Sequence, residues 1–118
     1  MQSWDETEER TILPGMHGKF IHSERMSFTL WRMDEGTVLP EHHHPHEQVV
    51  HMLDGELELF VSGKRSLLHA GDVLVIPPNA PHRGKAVTEV SVMDAFAPVR
   101  EDYRAGGPNI LAAAAGKS

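Results

Sequence analysis

The chain has 118 residues, 40% of them hydrophobic and 24% charged, with a formal net charge of -6 at pH 7. That length suits one domain with a single core, and the balance excludes both a disordered chain and a fibrous repeat. An acidic chain with no basic stripe argues against a nucleic-acid partner, zero Cys excludes disulfides and thiolate ligands, and the apolar runs are far too short to cross a bilayer.

The opening stretch, MQSWDETEERTILPG, is acidic and lacks the apolar core of a secretory signal, so a cytoplasmic chain is expected. Pro14-Gly15 reads as a turn leading into an extra edge strand over residues 19–22. From Ser27 onward, short runs rich in β-formers alternate with turn chemistry, the pattern of an all-β sandwich or barrel. The predicted strands are 27–33, 38–44, 48–53, 56–62, 66–69, 73–76, 82–86 and 90–96. Asp54-Gly55 is the strongest hairpin signal, because both residues tolerate the positive φ of a type I′ turn. Leu57, Leu59 and Val61 alternate with Glu56 and Glu58, giving one buried and one wet face. Phe60 breaks that alternation, either as a scattered surface residue or as part of a subunit contact. The expected organisation is an N-terminal segment over 1–26, a barrel over 27–100 and a tail over 101–118. The Ala-rich end from Leu111 to Ser118 reads as a frayed helical turn or disorder.

Nine His stand in this chain, five of them between His42 and His51. In an extended strand, side chains two apart point the same way, so His42 and His44 share a face about 7 Å apart while His43 opposes them. Pro45 fits a bend, after which Gln48 returns on the neighbouring strand toward the same space. His82 follows a Pro-rich turn at the start of a later strand. Imidazoles with an oxygen donor suit first-row divalent ions. A His-rich loop that is merely solvated is the alternative, and spacing alone leaves both open.

The run Gly36, His42, His44, Gln48, Gly55 resembles the first signature of the cupin family, with Gln48 where that family usually has Glu. Gly71, Pro77, Asn79, His82 resembles the second, with Asn79 at a usual Gly and Ala86 at a usual Asn. The resemblance implies a single-domain antiparallel jelly-roll β-barrel, commonly a homodimer. It also implies one divalent transition metal ion (Ni, Zn, Mn, Fe or Co) held by His42, His44, Gln48 and His82. His46, in the bend, either lines the barrel mouth as a proton carrier or is a solvated loop residue. His51, out of parity with Gln48, leaves the interior for the surface or an interface. His17, His22 and His69 carry no spacing signal. Three imidazoles and a neutral amide would leave the ion its full double charge, making it a stronger Lewis acid than a Glu-bearing site.

Val90, Val92, Asp94 and Phe96 share one parity, so a carboxylate lies on an apolar face. A buried carboxylate is expensive unless paired or employed, which makes Asp94 a candidate general acid or base. Arg100, after Pro98, is placed to hold a substrate carboxylate in a bidentate fork. The plainer alternative is a structural bridge from Asp94 to Arg100 or Lys85.

The HPHEQ stretch, Gln48 and the DxFxPxRED run resemble the KdgF-type cupins of uronate degradation, which open 4,5-unsaturated uronate monosaccharides into the linear keto form. By that resemblance Asp94, Phe96 and Arg100 are catalytic or substrate-binding residues. The expected partner is a small organic or sugar acid, with no nucleic acid and no membrane. Two competing readings are an Fe(II)-dependent dioxygenase acting on a small organic acid or diketone, and a non-catalytic small-molecule binding module.

Overall fold

The computed structural model describes residues 1–104 and residue 111. Ten strands follow in order: β1 Arg10–Leu13, β2 Met16–His22, β3 Ser27–Met33, β4 Val38–His42, β5 Glu47–Asp54, β6 Leu57–Val61, β7 Lys64–Leu68, β8 Val73–Ile76, β9 His82–Ala86 and β10 Val90–Ala97, then the short helix α1 Glu101–Arg104. They form a six-stranded sheet, ordered β1-β2-β3-β10-β5-β8, and a four-stranded sheet, ordered β4-β9-β6-β7. Every pairing is antiparallel, which gives the jelly-roll barrel expected from the sequence.

Period-two alternation builds the inner wall. Ser27, Thr29, Trp31 and Met33 on β3, Val90, Val92, Asp94 and Phe96 on β10, and Gln48, Val50 and Met52 on β5 all point inward and are buried. Leu57 and Leu59 on β6, with Leu39 on β4, close the core from the smaller sheet. The segment before Ser27 supplies two strands. β2 lies between β1 and β3, so the expected edge position belongs to β1.

One turn differs from expectation. Gly55 has the positive φ its sequence suggests, +86°, yet β5 and β6 belong to different sheets, so Asp54-Gly55 is a crossing and not a hairpin. A Cβ at Gly55 would lie 2.2 Å from the Glu89 carbonyl oxygen, so close approach is the second reason for glycine there. The two-residue hairpin with both central φ positive is Ser62-Gly63, between β6 and β7. Residues 112–118 of the Ala-rich tail lie outside the described residues, while Leu111 is buried in the core.

Candidate metal centre and the cavity beside it

Three imidazoles converge inside the barrel. His42 ends β4, His82 opens β9 directly opposite it, and His44 stands two residues past β4 in the loop to β5. The expected strand over 38–44 therefore stops at His42. His44 and His82 are buried, His42 is partly so, and ligand nitrogens of all three lie within 4.8 Å of one another.

Each ring is oriented by a backbone carbonyl. Nδ1 of His42 meets the Pro40 oxygen at 2.8 Å, Nδ1 of His44 the His46 oxygen at 3.1 Å, and Nδ1 of His82 the Ala80 oxygen at 2.9 Å. A carbonyl only accepts, so Nδ1 carries the proton and Nε2 presents a lone pair. Burial, reinforced by His82, holds His42 down to about 3. Burial and the Arg100 charge hold His44 down to about 4, and burial also lowers His82. All three are neutral near pH 7, the form a metal requires.

The donor set fits a divalent ion. Nε2 of His82 is buried with no hydrogen-bond partner among the described residues. Gln48 Oε1 lies 3.1 Å from the lone pair on His44 Nε2. Two acceptors that close repel, unless the amide turns its NH₂ to the ring or a cation stands between them. Gln48, inward on β5, is thus placed beside the imidazoles as the cupin signature implies.

The other histidines separate clearly. His43 is exposed. His46 is buried, which corrects the solvated-loop alternative: its Nε2 donates to the Val99 carbonyl at 3.2 Å, and its ring packs edge-on against His44 and Phe96. His51 sits half-buried on the outer side of β5, opposite in parity to Gln48.

Asp94 and Phe96 face inward from β10. Asp94 Oδ2 accepts from the Trp31 indole N–H at 3.0 Å, while Oδ1 is buried and makes no hydrogen bond of ordinary geometry. Burial pushes the carboxyl up to about 7, against the opposing pull of the Gln48 amide, the Trp31 indole and Arg100. The expected alternative bridge to Arg100 or Lys85 is not formed. Lys85 is exposed, and Arg100 grips Asp102 through Nε at 2.9 Å and Nη2 at 2.7 Å.

Arg100 is only 1% exposed, with its guanidinium 4.7 Å from the Phe96 ring centroid and 4.0 Å from that of Tyr103. Burial works against its charge, but Asp102 and Tyr103 outweigh it and raise its pKa. Two features were missed from the sequence. Trp31 is Asp94's partner because β3 pairs with β10, a long-range register that no local motif reports. Asp102, two residues past Arg100, takes one edge of the fork, and the RED run was the available signal.

His42, Gln48, His82, Asp94, Phe96, Arg100 and Tyr103 line one partly open cavity with a free volume of about 30 Å³. The rest of its wall is apolar, including Met33, Leu59, Ile76 and Leu111.

A barrel of this topology with three imidazoles at one end defines a cupin, and the family model described as cupin domain matches residues 29–96, so the chain belongs to that family. The pectin degradation protein KdgF of Dickeya dadantii (strain 3937) is 28% identical over 102 residues, covering 84% of this chain and 93% of its own. The structure of KdgF from Halomonas sp. aligns with a TM-score of 0.80 at 28% identity, covering 84% of this chain and 94% of that one. An RmlC-like cupin from Shewanella frigidimarina aligns with a TM-score of 0.83, also at 28% identity, covering 87% and 94%.

Proposed function

We propose that the protein is a metal-dependent enzyme that opens 4,5-unsaturated uronate monosaccharides into their linear keto form. The observation that carries this reading is a single cavity in which the imidazole cluster, a buried carboxyl poised near neutrality and a buried arginine converge, in a chain similar to KdgF. His42, His44, His82 and Gln48 would hold the ion, which supplies Lewis acidity toward the sugar's oxygens.

Ring opening of such a uronate is an isomerisation. A proton leaves the anomeric hydroxyl, the bond from C1 to the ring oxygen breaks, and a proton arrives at C4 as C5 becomes a ketone. One group that accepts a proton and later donates it is enough, and Asp94, balanced near pH 7, suits both halves. Arg100 binds the substrate carboxylate by its Nη1–Nη2 edge, since Asp102 occupies the Nε–Nη2 edge. Phe96 packs against both His44 and Arg100 and keeps water from the space between them.

Proton NMR of unsaturated galacturonate incubated with the metal-loaded protein tests this directly. The vinylic C4 signal should give way to the linear keto product faster than in buffer, and equal rates would overturn the reading.

We also propose a homodimer formed through the outer face of the six-stranded sheet. Val75, Val49, Ala95, Phe28 and Ile21 stand side by side across five strands on that face, with Val73, His51, Met93 and Leu30 in the next row. Val73 and Val75 are 58% and 53% exposed. Among the described residues no element covers this stripe, and a second copy offers an identical one. Phe60, the other candidate for such a contact, is half-buried on the smaller sheet beneath the Arg83 guanidinium at 3.9 Å.

A further inference from the structure

We infer that Trp31 is a positioning residue that leaves one oxygen of Asp94 to face the reaction, and that Gly18 provides the space that makes this possible. The inference rests on Asp94 acting on substrate as proposed above.

Gly18 on β2 pairs in register with Trp31 on β3, and a Cβ at Gly18 would lie 2.5 and 2.6 Å from Cζ3 and Cε3 of the indole. No side chain fits there, so the indole lies flat over β2. Phe20 meets it edge-on at 5.4 Å and Tyr103 at 6.0 Å, and the residue is 1% exposed. A ring wedged on these sides has little freedom, and its N–H falls 3.0 Å from Asp94 Oδ2. An N–H donor engages the carbonyl-like oxygen of a carboxyl, so the exchangeable proton belongs on the other oxygen. That oxygen, Oδ1, is buried without a hydrogen bond of ordinary geometry, with the Gln48 amide close to the carboxyl and Asp94 lining the cavity. Trp31 thus fixes the carboxyl plane and assigns proton transfer to Oδ1, while Gly18 acts only through Trp31.

The kinetic test uses Trp31→Phe, which keeps an aromatic ring and drops the donor, and Gly18→Ala, which keeps the donor and displaces it. Each should lower kcat by up to roughly 10-fold, the worth of one hydrogen bond to a neutral carboxyl, with KM and metal content retained. A residue that merely filled the core would not separate kcat from KM in this way. The double variant should be no slower than Trp31→Phe alone, because phenylalanine leaves room for the added methyl.

A second measurement needs no substrate. The chain has two Trp, so a ¹⁵N spectrum holds two indole N–H signals. The Trp31 signal should move in both Asp94→Asn and Gly18→Ala. An unmoved signal overturns the inference, as does a Trp31→Phe enzyme with wild-type kcat. If the wild type fails to open the uronate, the functional reading falls, and a signal that moves in both variants still upholds the Gly18–Trp31–Asp94 arrangement.

Discussion

The fitness of His42, His44 and His82 to take a metal rests on where their Nδ1 protons go, and this was only half legible in the sequence. The three rings do group and His43 is exposed, but His44 reaches the group from the loop past β4 and not by strand parity. The carbonyls of Pro40, His46 and Ala80 that fix the tautomers come from loop conformation, which no residue pattern reports. His82→Ala should lose most bound metal on elemental analysis, whereas His43→Ala should keep it. Asp94 shows the same division: its inward parity was readable, while its Trp31 partner was not.

The raised Asp94 pKa also makes a stability prediction with a definite sign. The carboxyl goes from 3.8 when unfolded to about 7 when folded, so it favours the folded state below the lower value and loses that contribution as pH rises toward the upper one. In metal-free protein, Asp94→Asn should therefore gain thermal stability over wild type between pH 4 and pH 8, with a ceiling on the order of 4 kcal/mol. Melting curves whose difference is flat across that range would contradict a buried, neutral Asp94.

Among the elements, strands were legible and their partners were not. The strands over 27–33, 73–76 and 82–86 match residue for residue, since alternation is a local property. Asp54-Gly55 and Ser62-Gly63 look alike as turn signals, and only the barrel's closure decides that the first crosses between sheets and the second makes the hairpin. Their glycines should respond differently to a methyl group. Gly63 has a positive φ and open space around it, so Gly63→Ala should cost about 1 to 2 kcal/mol. Gly55→Ala adds a backbone clash to the same strain and should cost clearly more. Equal chemical-denaturation midpoints for the two variants would argue against the close approach of Gly55 to Glu89.

At the scale of the molecule, the barrel's inner face explains the site and its outer face the proposed assembly. Light scattering at micromolar concentration should give twice the 13.1 kDa chain mass. Val49→Lys, within the apolar row between Val75 and Ala95, should return the protein to one chain without unfolding it. The inner face carries the central claim, that the metal cluster and Asp94 act together on an unsaturated uronate. The most direct measurement follows the loss of absorbance of 4,5-unsaturated galacturonate with metal-loaded wild type and metal-loaded Asp94→Asn at equal metal content. A wild-type rate well above buffer and a variant slowed by about 10² to 10⁴ is the result expected of a general acid or base. A wild type no faster than buffer, or a variant that keeps the wild-type rate, would contradict it.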